Sequence, residues 1–338
     1  MKTWRLAAGA SSLDDLTMIE ADKPVPRPGE VLIRVHACSL NYRDQAIVKG
    51  QYFGGPIARD LTPLSDGAGV VEAVGDGVTG YKPGDRVAGT FFQGWRAGPP
   101  NPNPGVALGA VPAVGMLSEY VILPEQGVVP LAETLSFEEA ATLPCAGVTA
   151  WHALMEGPRA VGPGRSVLIL GTGGVSLLAL AIAKAAGARV IATSSSDEKL
   201  ARVRALGADE VINYRTTPDW GVAAAALAGG GVDHVVEVGG AGTLQQSMAA
   251  VGFGGEVALI GVLTREGETG PHALMLKGAS LRGIFVGSAA MAIALNRAID
   301  ATGIKPPIDR VFAFDQARQA YEYQASPDLF GKVVIRVD

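Results

Sequence analysis

The sequence predicts an α/β protein, a doubly wound parallel sheet joined to an irregular β domain. Three observations carry this. From about residue 126 short apolar strands alternate with helical stretches, the order expected of a parallel sheet with crossover helices. Before residue 126 short strands are instead broken by glycine and proline turns. Glycine itself supplies 45 of 338 residues, close to twice the average of about 7%, with no collagen-like period, so tight turns are numerous.

Taken in order, Glu30–Val35 is a strand after the Pro28-Gly29 turn, and Gly67–Val74 is another before Gly75-Asp76-Gly77. Pro83-Gly84-Asp85 turns into a third at Arg86-Val87. Residues 92 to 115 form a long loop dense in Pro, Gly and Asn, of the kind that is usually functional or mobile. Ser136-Phe137-Glu138-Glu139 opens a helix with a serine cap and an acidic first turn. Strands are expected at Val167–Leu170, Arg189–Thr193, Glu210–Ile212, His234–Val238, Glu256–Ile260 and Ser280–Val286, with helical stretches such as Glu198–Leu206 between them. A helix-like run follows Gly287 up to Thr302, then a short helix over Phe314–Tyr323 and a last strand over Lys332–Val337. The expected domains are 1–125 with 287–338, and 126–286.

Charge and composition exclude several classes of function. With 28 Lys and Arg against 33 Asp and Glu the formal charge is −5, so no footprint for nucleic acid is visible. At 48% hydrophobic and 18% charged residues the chain is compact rather than disordered. Two cysteines, Cys38 and Cys145, make neither a disulfide framework nor a four-cysteine zinc site and suit a reducing compartment. The start, Met1–Arg5 followed by the short apolar run Leu6–Ala10, is too brief for a secretory core, and the expectation is a cytoplasmic protein. Ser166–Ala183 is uncharged and imitates a membrane span, but Gly171-Thr172-Gly173-Gly174 in its middle reads better as a strand, a turn and a helix.

That turn is the chief motif. Val167–Leu170 runs into Gly171-Thr172-Gly173-Gly174-Val175-Ser176 and an apolar helix, the context of a dinucleotide fingerprint. The first glycine permits the turn, the second lets backbone amides approach a pyrophosphate, and the helix amino terminus favours the negative charge. Ser176 replaces the third glycine with another small residue. Where NAD sites carry an acid for the ribose, this chain has Thr193-Ser194-Ser195-Ser196 with Lys199 one turn on. Hydroxyls and a lysine suit a 2′-phosphate, so NADP (NADPH) is favoured over NAD. Asp197 and Glu198 keep NAD open, although the helix dipole alone accounts for them.

With these motifs stand Pro28-Gly29-Glu30-Val31, Asn41-Tyr42-Arg43-Asp44, Gly67-Ala68-Gly69-Val70-Val71, Gly84-Asp85-Arg86-Val87, Cys145-Ala146-Gly147-Val148-Thr149, Gly207-Ala208-Asp209 and Gly331-Lys332-Val333-Val334. In this set and order the chain resembles the medium-chain dehydrogenase/reductase superfamily over nearly its whole length. The resemblance implies a GroES-like irregular β-barrel catalytic domain and a Rossmann domain. Zinc-dependent alcohol dehydrogenases of that superfamily place a cysteine where Asn41 stands, Gly-His-Glu where Leu64-Ser65-Asp66 stands, and a further cysteine at Cys145. Two of the three usual ligands are replaced, so zinc is not expected and Cys145 is expected to be inert. The cysteines of a structural zinc lobe are also missing between residues 88 and 130. The pattern is similar instead to the zinc-free quinone oxidoreductase-like branch, which carries Asn at the position of Asn41 and reduces activated double bonds with NADPH. In that branch a small residue, a lysine and a tyrosine hold the 2′-phosphate; Ser195, Lys199 and Tyr214 match them. The resemblance further implies that Thr149, Val238, Gly239 and Gly261 lie near the nicotinamide, Val286 near its carboxamide, and that the chain forms a homodimer through Leu281–Val286.

Without a metal, some neutral donor must meet the oxygen on which charge grows. The candidates are the Asn41 amide and the hydroxyls of Tyr42, Tyr52 and Ser65, with Asn41 and Tyr52 favoured. Asn41 also reads as a turn former and Tyr52 as a loop aromatic. Arg43 and Asp44 are expected to pair or to hold backbone. His36, His152, His234 and His272 read as structural, and the Phe91-Phe92-Gln93-Gly94-Trp95 run reads equally as a substrate cover or as core. A conjugated enone or quinone spreads its charge and is the easier small-molecule substrate; a simple ketone, aldehyde or alcohol is the rival. A cofactor-binding protein without turnover stays open as a third reading.

Overall fold

The computed structural model describes the chain apart from Gly54, residues 101–106, Val262, Arg265, Glu268, Thr269 and Asp338. Two compact units are present, Met1–Val148 with Gly287–Asp338, and Thr149–Val286. Residues 126–148, expected with the second unit, pack in the first. Val128–Pro130 is one of the first unit's strands, and the π-helical turn Leu143–Gly147 lies against another of them.

The first unit opens with the hairpin β1 (Lys2–Leu6) and β2 (Leu16–Glu20). Next come β3 (Glu30–Ser39), α1 (Tyr42–Val48), β4 (Asp66–Val74), β5 (Arg86–Gly89), β6 (Tyr120–Pro124), β7 (Val128–Pro130) and α2 (Phe137–Ala140). The last is the helix foreseen at Ser136: the Ser136 hydroxyl accepts the Glu139 N–H at 3.2 Å, and the Glu139 carboxylate accepts the Ser136 N–H at 2.8 Å. The second unit runs α3 (Val148–Met155, whose first residue belongs to the first unit), β8 (Ser166–Leu170), α4 (Gly174–Ala185), β9 (Arg189–Ser194), α5 (Asp197–Ala205), β10 (Glu210–Asn213) and α6 (Trp220–Leu227). It continues with β11 (Val232–Glu237), α7 (Ala241–Ala250), β12 (Val251–Leu259), α8 (His272–Lys277) and β13 (Ser280–Gly283). The tail α9 (Ala289–Thr302), β14 (Ile308–Ala313), α10 (Ala317–Gln324) and β15 (Lys332–Arg336) returns to the first unit.

Strand β3 is the spine of the first unit. Val31, Leu32, Ile33, Val35, Ala37 and Cys38 are all buried, a run matching a strand covered on both faces. It pairs antiparallel with β4, β6 and β15 in a sheet ordered β14-β15-β3-β4-β5-β7, with β6 also on β3. At the carboxyl end of β3 the register sets Ser39 opposite both Asp66 and Val334, and the Leu40 N–H continues the ladder to the Val333 carbonyl at 3.1 Å. This register brings residues 40–41, the start of β4 and the start of β15 together.

In the second unit the described strands form one parallel sheet of order β10-β9-β8-β11-β12-β13. The order reverses between β8 and β11, so the loops after these two strands flank the crevice where doubly wound sheets bind ligands. The expected strands are present with shifted ends. Strand β12 begins at Val251, and β13 stops at Gly283, short of Val286, whose φ of +53° cannot continue a strand. The uncharged Ser166–Ala183 stretch resolves into β8, a turn and α4, and no helix among the described residues is long and apolar enough to cross a membrane.

The β3–β4 ladder leaves no room at Gly69, where an added Cβ would lie 2.0 Å from the Arg34 carbonyl oxygen. Gly69→Ala is expected to lower the unfolding free energy by about 1–3 kcal/mol in urea titration, the usual penalty for forcing a packed site apart. A change below about 0.5 kcal/mol would show that the ladder yields freely at this point.

Candidate functional site

The glycine turn after β8 has the geometry of a cradle. Gly171 has φ +70°, open to glycine but not to most side chains, and a Cβ on Gly171 or Gly173 would meet nothing within 4 Å. Gly173 caps α4 with no side chain, so the first N–H groups of a twelve-residue helix point out of the turn. Thr172 is buried, while Gly174 and Val175 open the helix half-buried. Ser176 is buried and donates to the Leu170 carbonyl at 2.7 Å, tying the turn shut where the fingerprint has its third glycine.

At the carboxyl ends of β9 and β10 the structure gathers Ser195, Lys199 and Tyr214. Ser194 and Ser196 are spent on the cap of α5: the Ser194 hydroxyl accepts the Ser196 N–H and the Ser196 hydroxyl accepts the Lys199 N–H, each at 3.3 Å. That leaves Ser195, half-buried, as the serine that presents itself, beside a half-buried Lys199 and an exposed Tyr214 whose N–H pairs with the Ser194 carbonyl. Of the two acids that keep NAD open, Asp197 accepts from the Asn213 amide at 2.7 Å and Glu198 is exposed. Nothing in the strand pattern signalled that pairing.

On the other side of the reversal point a fully buried carboxylate organises the loop after β11. Glu237 accepts from the N–H groups of Gly239 at 2.7 Å and Gly240 at 3.0 Å, from the Thr243 hydroxyl at 2.6 Å, and from the Ser247 hydroxyl. The Gly239 carbonyl is taken by Thr264, so Gly239 can meet a ligand only by contact. Gly261 donates to the Glu237 carbonyl, and a Cβ there would lie 1.8 Å from the Val238 oxygen. Val286, a β-branched residue at positive φ, is pinned by a 2.7 Å bond between its carbonyl and His152 Nδ1, which must carry the proton. Burial holds the His152 ring below its usual range, so it is neutral near pH 7. Thr149 is buried in the first turn of α3. Every residue anticipated at the cofactor thus lies in the second unit.

Asn41, Tyr52 and Ser65 lie in the first unit, where the register of β3, β4 and β15 gathers two of them. Asn41 caps α1, and its N–H donates to the Asp44 carboxylate at 2.7 Å. Ser65, fully buried, donates its hydroxyl to Asp66 Oδ1 at 2.7 Å, so its proton is already committed. Asp66 Oδ2 accepts the Cys145 N–H at 3.2 Å and faces Lys332 Nζ at 3.9 Å. Lys332, also buried, donates to the Leu40 carbonyl at 2.5 Å and to Asn41 Oδ1 at 2.6 Å. Leu64, just before Ser65, is fully buried yet has φ +70°, the left-handed conformation suited to the glycine that the resemblance assigns there. Gly109 and Gly115 crowd its backbone, and a Cβ on either would approach to within 2.5 Å of residues 63–64.

Arg43 and Asp44 hold backbone rather than each other. Arg43 Nη1 donates to the Leu108 carbonyl at 2.6 Å, and its guanidinium lies 5.0 Å over the Tyr52 ring and 4.7 Å over Phe91. Phe91, Phe92 and Trp95 are buried, so the aromatic run is core in this unit. His36 stacks on Phe137, His234 is buried in β11 and His272 opens α8. Tyr42 is exposed on α1. Part of the 92–115 loop lies outside the described residues. Burial pushes the Tyr52 phenol up, with Arg43 pulling it back, and the hydroxyl stays protonated near neutrality. Burial, reinforced by Asp66, pushes the Cys145 thiol well up, which removes it as a thiolate. Sequence reasoning noticed Lys332 only as part of a turn-and-strand motif. A lysine opening an apolar strand was the available signal.

Two family models match the chain, a zinc-binding dehydrogenase domain over residues 174–300 and an alcohol dehydrogenase GroES-like domain over 27–133. A zinc-type alcohol dehydrogenase-like protein of Schizosaccharomyces pombe is 45% identical over 97% of both chains. A quinone oxidoreductase of Rattus norvegicus is 32% identical, covering 88% of this chain and 86% of its own. The crystal structure of a putative alcohol dehydrogenase from Sinorhizobium meliloti superposes with a TM-score of 0.90 at 42% identity over all of both chains.

Burial pushes the Asp44 carboxyl up to about 6, outweighing Arg43 and the Asn41 N–H. A carboxyl raised from 3.8 binds its proton more tightly folded than unfolded. Its contribution is therefore full below about pH 4 and is lost as pH rises through 6, a change of about 3 kcal/mol. Asp44→Asn keeps an oxygen for the Asn41 N–H and removes the titration. Between pH 4 and 7 the unfolding free energy of the wild type is expected to fall by about 3 kcal/mol more than that of the variant; equal falls would refute the assignment.

Proposed function

This chain belongs to the medium-chain dehydrogenase/reductase superfamily and is an oxidoreductase, and from that premise we propose that it is an NADPH-dependent, zinc-independent reductase of enone- or quinone-like carbonyl compounds. The observation that carries the reading is the second unit's cradle, an open glycine turn at the amino end of α4 with Ser195, Lys199 and Tyr214 in reach of the next two strand ends. The amides of the turn suit a pyrophosphate. Serine, lysine and tyrosine suit a 2′-phosphate, and one oxygen of Asp197 is engaged by Asn213.

When bound, reduced nicotinamide supplies a hydride to the electrophilic carbon of the acceptor. The chain's part is to hold donors for the acceptor's oxygen. The Asn41 amide and the protonated Tyr52 hydroxyl take that role, with Ser65 and Lys332 bracing the buried Asp66 beside them. One positioned neutral donor supplies on the order of 3 kcal/mol, which suits an acceptor that delocalises its own charge. In the second unit Glu237 and His152 fix the loop and the strained Val286 that a nicotinamide ring would meet.

The family name includes zinc, and the residues present do not fit the ion. Catalytic zinc takes three protein ligands. Here Asp66 is surrounded by Ser65, the Cys145 N–H and an ammonium, and Asn41 Oδ1 is gripped by that ammonium, which leaves Cys145 as the one customary ligand type among them. This donor set supports a reaction that runs without the metal. The rival reading, oxidation of simple alcohols, draws on the S. pombe relative's name, as the enone reading draws on that of the rat enzyme.

Calorimetric titration with NADPH and with NADH, repeated on Lys199→Ala, tests the cofactor. NADPH is expected to bind at least about tenfold more tightly than NADH, with the preference lost in the variant, since one charge-assisted contact to phosphate contributes about 1.5–3 kcal/mol. Equal binding of both would move NAD to first place. Turnover of quinones without secondary-alcohol oxidation, in protein free of zinc by metal analysis, is the expected activity; alcohol oxidation alone would favour the rival. A homodimer through β13, the sheet edge with half-exposed Leu281 and Phe285 beside it, belongs to the same reading, and a monomer at all concentrations by light scattering would remove it.

A further inference from the structure

Lys332 is buried at the start of β15, on the antiparallel ladder that carries β3 into Leu40 and Asn41. Its ammonium has three oxygens around it: the Leu40 carbonyl at 2.5 Å, Asn41 Oδ1 at 2.6 Å and Asp66 Oδ2 at 3.9 Å. The distances are informative because they run against charge. Even the solvent-accessible lysines of this chain close on their carboxylates, Lys184 on Asp209 at 2.8 Å and Lys82 on Asp85 at 2.6 Å, and a lysine buried to balance a carboxylate has more reason to do so. Lys332 stands off from Asp66 and closes on a neutral amide oxygen.

That choice has two consequences for Asn41. A side-chain amide can turn over, exchanging its oxygen and nitrogen, but only an oxygen can face an ammonium, so Lys332 fixes which end is which. A donor on the amide oxygen also polarises the group and strengthens its N–H bonds as donors. The Nδ2 end is buried, has no hydrogen bond of ordinary length, and lies close enough to Asp66 to help hold that carboxyl down. Asp66 is itself satisfied by Ser65 and by the Cys145 N–H.

We propose that Lys332 is a positioning residue for carbonyl reduction: gripping Asn41 Oδ1, its ammonium orients and polarises the amide so that the N–H end receives the acceptor's oxygen. The chain thereby places a fixed positive charge of its own one amide group behind the reacting oxygen. The inference rests on the reading of Asn41 as the donor to that oxygen, and the two fail separately in the following test.

Asn41→Ala, Lys332→Met and the double variant are compared with the wild type in NADPH-dependent reduction of 9,10-phenanthrenequinone. Melting temperature and NADPH fluorescence titration report on fold and cofactor binding. The expected result is a fall in kcat of at least about 30-fold in each single variant, with NADPH affinity within about twofold of wild type, and a double variant no slower than Asn41→Ala. Losses that multiply in the double variant, or a folded Lys332→Met with wild-type kcat beside a crippled Asn41→Ala, would overturn the role of Lys332. A wild-type kcat in Asn41→Ala would instead overturn the donor reading, and the proposal with it. If Lys332→Met does not fold, Lys332→Arg and Asn41→Asp decide. Arginine keeps a cation for Oδ1 and is expected to retain at least a tenth of kcat, whereas aspartate keeps the cation's partner, loses the N–H, and is expected to be as slow as Asn41→Ala. The reverse order would overturn the proposal.

Discussion

A carboxylate with no access to water must be given its partners by the fold, and Asp66 receives them from separate stretches of chain. Ser65 comes from the adjacent loop, the Cys145 N–H from the π-helical turn, and Lys332 from the last strand. Burial pushes the Asp66 carboxyl up, while Lys332, the Asn41 amide, Ser65 and the Cys145 N–H oppose it. Removing Lys332 would take away the countercharge, and removing Ser65 or the Cys145 N–H a hydrogen bond, so the loop before β4, the turn at 143–147 and the return of the chain at β15 are coupled through Asp66. The register of β3 against both β4 and β15 is the backbone expression of that requirement.

The second unit meets the same constraint without a cation. Glu237 ends a buried central strand, and its partners are two backbone N–H groups and two hydroxyls, all within ten residues of it in sequence. The result is a loop whose amides are turned inward, away from any ligand, in contrast to the turn after β8, where the Gly171 N–H is held by the Thr193 carbonyl but the start of α4 has no side-chain cap. One loop is built for shape and the other for charge, and they stand on either side of the point where the strand order reverses.

The parallel sheet and the glycine turn were legible because their signals are local. Apolar runs spaced by helices, and Gly171-Thr172-Gly173-Gly174 between a strand and a helix, need no knowledge of distant residues. The serine run and Lys199 were read locally as well, as hydroxyls and a lysine after the second strand, whereas Tyr214 needed the resemblance, since nothing local says that β10 lies beside β9. The division between the units was displaced because Val128–Pro130 and Leu143–Gly147 read as connections, and only pairing with β5 and contact with β4 reveal where they belong. The partners of Lys332 were hidden for the same reason: more than 260 residues separate it from Asp66, and a lysine at the head of a strand ordinarily points to water. The Ser65 hydroxyl was counted as available because its neighbour's burial cannot be read from composition.

Leu64 limits what the loop before β4 can accept. Its backbone sits in a conformation natural to glycine, while its side chain is hydrocarbon that the core of the first unit requires. Glycine in its place would leave a hole and most other side chains would keep the strain. A new side chain at position 41 or 65 would meet the same packed surroundings, with Asn41 Oδ1 held by Lys332, the Ser65 hydroxyl spent on Asp66, and the left-handed backbone of Leu64 just before them. The loop before β4 is thus held between two demands at one residue, a backbone that asks for glycine and a core that asks for leucine.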